Sequence, residues 1–153
     1  MSPDSRPLII ACGALVSELR AVLVASGIDE SVEVKYLPAN LHNRPENISP
    51  QVEELLAQNQ DRRVFVAYAD CGTGGLLQAK CAELGVEMLA GPHCYSFFEG
   101  NDTFAVHAES EFTAFYLTDF LVRQFDAFVW KPMGLDRHPQ LRDMYFGNYT
   151  KLV

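Results

Sequence analysis

The stretch RRVFVAYADCGTGG, residues 62–75, decides the fold. From Val64 to Ala69 it is apolar without a break and rich in β-branched and aromatic side chains, the pattern of a central strand covered on both faces. Cys71 and three glycines, Gly72, Gly74 and Gly75, then break the run, and LLQAKCAEL follows as a helix closed by Gly85. Strand, Cys-Gly turn and helix form one unit.

The same plan occurs upstream. LIIA, residues 8–11, reads as a strand, Cys12-Gly13 as a tight turn, and residues 14–25 as a helix ended by Gly27, with Leu15, Leu19, Val22 and Leu23 at helical spacing. SVEVKYLPA alternates Val32, Val34 and Tyr36 with polar residues, the period of a half-buried strand near a sheet edge. After the loop NLHNRPENI, Ser49 is the expected cap and Pro50 the first position of a helix reaching about residue 58. VEMLA, residues 86–90, supplies a fourth strand. Alternating strands and helices imply parallel strands with right-handed crossovers. The expected architecture is a three-layer open α/β sheet, mostly parallel and Rossmann-like, without the G-x-G-x-x-G dinucleotide fingerprint.

The remainder is less regular. TFAVHAES, residues 103–110, reads as a strand, and Ser110 as the cap of a helix carrying Phe112, Phe115, Tyr116, Phe120 and Leu121 as core. KPMGLDRHPQ is a breaker-rich loop, QLRDMYF a short helix, and NYTKLV the beginning of a strand with no stop signal, so the chain is expected to be truncated at its C-terminus. At 153 residues the length fits a single α/β domain spanning 1–153.

Charge narrows the partners. Twenty acidic against twelve basic residues give a net charge of -8, with no local basic patch, which disfavours nucleic acid and anionic membranes. No segment has the roughly 20 consecutive apolar residues of a spanning helix, and the start lacks a secretory pattern, so a cytoplasmic location is expected. In that setting the four cysteines read as reduced thiols, catalytic groups or metal ligands.

Their positions divide them. Cys12, Cys71 and Cys94 each follow a predicted strand, and parallel strands bring their carboxyl ends to one edge, where ligands of open α/β sheets collect. Cys81 lies within a predicted helix and reads as a small buried hydrophobe. Three thiolates with His42 or His93 as a fourth ligand form a soft set suited to zinc, or to an iron–sulfur cluster on three cysteines. Two other readings stand beside this one. Gly72, Thr73, Gly74 and Gly75 form a loop able to cradle a small anionic ligand with no metal involved. Cys12 and Cys71 offer a redox pair if their sulfurs approach. Asp70 and Glu99 are the acid–base candidates, while His107 and His138 have no comparable context.

The segments ACGAL, LHNRPENI, YADCGTGG and GPHCYSFFEG together resemble the bacterial and archaeal DUF1638 family, a domain of unknown function, over residues 8–153. The resemblance implies that Cys12, His42, Cys71, His93 and Cys94 belong to signature segments. It also implies a longer full-length chain and an association with corrinoid-dependent methyltransferases of one-carbon metabolism, as enzyme or accessory protein.

Overall fold

The computed structural model describes residues 5–153, whose contacts divide into two compact units, one ending at Cys94 and the other Tyr95–Val153. The first contains strands β1 (Leu8–Cys12), β2 (Glu33–Leu37), β3 (Val64–Ala67) and β4 (Glu87–Met88), and helices α1 (Val16–Ala25), α2 (Ile48–Ala57) and α3 (Leu76–Glu83). All strand pairs are parallel, in the order β2-β1-β3-β4. Leu8 lies beside Glu33 on one side and Val64 on the other, and Ala11 beside Tyr36 and Ala67. β1 is therefore flanked on both sides, and its Leu8, Ile10, Ala11 and Cys12 are buried, as are Val66, Ala67, Tyr68 and Ala69 in and after β3. β2 lies at the edge as expected, but its burial does not follow the expected alternation: Glu33, Val34 and Lys35 are all half-buried, Tyr36 is exposed and Leu37 is buried.

The crossovers explain the layers. β1 to β2 runs one way across the sheet, whereas β2 to β3 and β3 to β4 run the other, so right-handed connections put α1 on one face and α2 with α3 on the opposite face. α2 and α3 pack against each other. α2 buries Ile48, Val52 and Leu56, a spacing of four that keeps one stripe on the sheet, and α3 buries Leu77 and Cys81 in the same way. The cap of α2 differs from expectation. A 3-10 turn over Pro45–Asn47 already starts the coil, so the helix begins at Ile48 and Ser49 lies inside it, its hydroxyl donating to Glu53 at 3.2 Å. Pro50 sits in the first turn, where no intrahelical N–H is needed.

The strand order reverses between β1 and β3, which places a crevice at their carboxyl ends. Gly13, at the end of β1, is fixed by this crowding: a Cβ there would lie 2.7 Å from the carbonyl oxygen of Leu37 at the end of β2.

The second unit contains short helices α4 (Ser96–Glu99), α5 (Asn101–Ser110), α6 (Asp119–Arg123) and α7 (Arg142–Phe146), with strands β5 (Ala114–Phe115) and β6 (Lys151–Leu152) paired in parallel. Two expectations are corrected here. The segment 103–110 is helical, because its alternation does not mark a buried face: Phe104 is buried but Val106 is exposed. The aromatic-rich helix expected after Ser110 is instead β5 followed by α6, capped by Thr118, whose hydroxyl accepts the Leu121 amide at 3.3 Å. The Phe115 ring meets Phe146 at 5.4 Å and Tyr149 at 5.0 Å between centroids, but the expected aromatic core is only partly formed: Phe115, Tyr116 and Phe120 are half-buried, while Phe112 and Tyr149 are exposed. The short helix and strand expected near residues 140–152 are present as α7 and β6. Among the described residues no helix is long and apolar enough to cross a membrane.

Candidate thiol site

Four separate chain segments of the first unit meet at the β1/β3 crevice. Cys12, the last residue of β1, is buried, and its sulfur accepts the Ala14 amide at 3.3 Å as the chain turns. His42 arrives from the 3-10 segment Ala39–Asn43 beyond β2. Both its ring nitrogens lie 3.9 Å from Cys12 Sγ, and Nδ1 is 2.9 Å from the carbonyl oxygen of Ala39. A carbonyl only accepts, so Nδ1 carries a proton and donates to it. The ring also stacks on Tyr68, with centroids 6.3 Å apart and planes 15° from parallel.

Cys71 holds an unusual backbone. Its φ of 49° is the only positive value for a non-glycine among the described residues, and Gly72, Gly74 and Gly75 continue the left-handed run. Two main-chain bonds hold this bend against the loop carrying Cys94: the Asp70 amide donates to Gly91 at 3.0 Å and the Cys71 amide to Pro92 at 3.0 Å. The Cys71 sulfur accepts hydrogen bonds from the thiol and the backbone amide of Cys94, and from His42.

These contacts set the charges. The Cys94 hydrogen bond brings the Cys71 thiol down to about 5; burial opposes this, and the His42 hydrogen bond and charge reinforce it. Burial disfavours a charged His42, but hydrogen bonds and negative charge from the Cys12 and Cys71 sulfurs outweigh it and raise the imidazole to about 10. Cys94 is pushed up, first because its proton is bonded to Cys71 and then by burial. Burial lowers His93, against a smaller opposing pull from Cys71. Near neutrality the site therefore holds a Cys71 thiolate between a Cys94 thiol and a His42 imidazolium.

Cys12, Cys71, Cys94 and His42 thus come together, with His93 within electrostatic reach of Cys71. Cys81 is buried in α3, where burial and Glu53 raise its thiol. The anion cradle takes a different form from that expected. The Gly75 amide donates to Asp70 Oδ1 at 2.6 Å, the Gly74 amide to Oδ2 at 3.3 Å, and the Thr73 hydroxyl to Oδ1 at 2.8 Å, with the Gly72 amide adding to the set. The loop's anion is its own carboxylate, and Asp70 anchors the loop. Glu99 belongs to the second unit, where its Oε2 lies 2.7 Å from His107 Nδ1. Sequence reasoning missed Tyr68. It sits inside the apolar run as one more aromatic, yet its buried hydroxyl faces the thiols, and burial followed by Cys12 and Cys71 raises it.

The donor set is chemically suited to a soft metal: three sulfurs, and an imidazole whose Nδ1 proton is held by a backbone carbonyl, the usual outer support of a ligating histidine. Its geometry differs from a closed coordination shell. Ligands at about 2.3 Å for sulfur and about 2.0–2.1 Å for nitrogen in tetrahedral geometry stand roughly 3.6 Å apart. Cys12 Sγ is 3.9 Å from both His42 nitrogens, and so off the lone-pair axis of either. Among the described residues no group of three or more His, Cys, Asp or Glu side chains is placed so that it could hold a metal ion.

A family model described as a protein of unknown function, DUF1638, matches residues 36–153, and the chain belongs to that family. No curated protein and no solved structure matches it.

Proposed function

We propose that this DUF1638 protein binds a thiophilic metal at the β1/β3 crevice, with Cys12, Cys71 and Cys94 as thiolate ligands and His42 or His93 completing or flanking the set. The observation that carries the reading is the convergence of Cys12, Cys71, Cys94 and His42 from four chain segments on one sheet edge, while Cys81 is kept apart in a helix. Zinc is the leading ion, and an iron–sulfur cluster on three cysteines the close variant. Bound zinc would supply Lewis acidity softened by thiolate donation, which leaves a substrate thiol nucleophilic. The protein's own residues do the rest: Ala39 orients His42, and the Asp70-anchored loop presents Cys71. In this reading the ligand is a small molecule, and the setting is corrinoid-linked methyl transfer, as enzyme or accessory protein.

Metal analysis of protein purified without oxygen tests it. About one metal equivalent per chain is expected, lost in Cys71→Ala and kept in Cys81→Ala. Less than about half an equivalent of any metal, unchanged by Cys71→Ala, sinks the proposal. The anion-binding alternative has weaker support, since the amides it requires already bind Asp70.

A further inference from the structure

We infer that Cys71 and Cys94 form a redox-active dithiol. The pair differs from the one sequence order brings to mind, Cys12 with Cys71. Main-chain bonds from Asp70 to Gly91 and from Cys71 to Pro92, each 3.0 Å, clamp the two thiol-bearing loops together. Cys94 hydrogen-bonds the Cys71 sulfur across the two clamped loops, so the two thiols are neighbours. Exposure sorts the thiols in the same sense. Cys71 and Cys94 are half-buried, within reach of a small reagent, whereas Cys12 and Cys81 are buried.

The oxidant is a low-molecular-weight disulfide. The thiolate of one of the two cysteines attacks one of its sulfurs, forming a mixed disulfide and expelling one small thiolate. The other thiol then gives up its proton, attacks the protein sulfur of the mixed disulfide and expels the second small thiol. Two protein thiols are oxidised to one disulfide, and one small disulfide is reduced to two thiols. The same two sulfurs serve the metal reading, so the dithiol is the form available when no metal holds them.

The full chain, reduced, chelated, checked for residual metal and desalted under nitrogen, is incubated with oxidised glutathione. Remaining thiols are alkylated and the bridge is located by peptide mapping. Free thiols are expected to fall from four to two, with Cys71 joined to Cys94. Cys94→Ser is expected to stop at a glutathione adduct on Cys71. A Cys12–Cys71 bridge, a wild-type adduct that is never resolved, or four thiols left unoxidised overturns the inference. Wild-type mapping alone decides between these, so a poorly folded variant does not obscure the result. Because metal has been removed, failure here leaves the metal reading standing, and a metal-free protein as purified leaves this one standing.

Discussion

Asp70 Oδ1 accepts the amide of Gly75 at 2.6 Å, closing the bend that carries Cys71 with a carboxylate from within the same loop. Burial raises this carboxyl, but the bonds from Gly75, Thr73, Gly74 and Gly72 outweigh it and hold it below the usual range. Asp70→Ala is therefore expected to lower stability by about 2–3 kcal/mol in urea denaturation, the scale of hydrogen bonds to a charged group. The depressed acidity also fixes a sign: this contribution is complete above the unfolded carboxylate value near 4 and is lost as pH falls through the lower folded value. Wild type should thus lose more stability than Asp70→Asn on acidification below about pH 4. Equal acid losses in the two proteins would remove the anchor role.

Gly13 gives a test of the crevice itself. A methyl group there meets the Leu37 carbonyl oxygen at 2.7 Å, and backbone on a central sheet has little room to yield. Gly13→Ala is expected to cost about 1–3 kcal/mol or more, the range for overpacking. Gly27→Ala is the control. Its φ is 67° but nothing lies within 4 Å, so only the backbone penalty of roughly 1–2 kcal/mol applies, and the crevice thiols should keep their alkylation rates. Thiol accessibility by timed alkylation separates the two, since only Gly13→Ala should disturb Cys12.

Most of the sheet was legible in the sequence because parallel strands covered on both faces leave unbroken apolar runs, as at Leu8–Cys12 and Val64–Ala67. Convergence of the thiols followed from the same reading, since strand ends share one edge. Two kinds of information were not legible. Alternation in TFAVHAES fits a strand, yet a period of two acquires meaning only beside a partner strand, and Val106 points to solvent. Likewise GTGG announces an anion cradle, but that Asp70 reaches back to fill it depends on the left-handed bend at Cys71, which no composition or spacing encodes. Tyr68 escaped notice because a strand run conceals a polar hydroxyl among apolar neighbours.

Tyr68 tests whether that hydroxyl matters to the fold. The residue is fully buried, its oxygen has no nitrogen or oxygen partner among the described residues, and a thiol sulfur is a weak acceptor. Tyr68→Phe is expected to change stability by less than about 1 kcal/mol, and stabilisation is allowed, because removing a poorly satisfied buried hydroxyl relieves its desolvation. A loss well above about 2 kcal/mol in thermal or urea unfolding would show that its contact with Cys12 is a strong hydrogen bond.

The last prediction concerns pH and the reduced protein freed of metal. Unfolded, a thiol titrates near about 8.5 and a histidine near about 6.5. Folded, Cys71 titrates at about 5 and His42 at about 10. Below about 6.5 the unfolded chain holds both protons while the folded one has lost that of Cys71, so stability falls as pH drops toward 5. Between about 6.5 and 8.5 each state holds one proton on this pair, and stability is level. Above about 8.5 the folded state still holds the His42 proton, and that of Cys94 too, whose thiol is pushed up, so stability falls again as pH rises. Urea midpoints across pH 5–10 should therefore trace a plateau with two shoulders. In Cys71→Ser the acid shoulder should shrink to the part left by His93, which burial lowers, and the alkaline one should shrink because His42 loses its thiolate neighbour. Parallel curves for the two proteins would mean that no thiolate–imidazolium pair forms between Cys71 and His42.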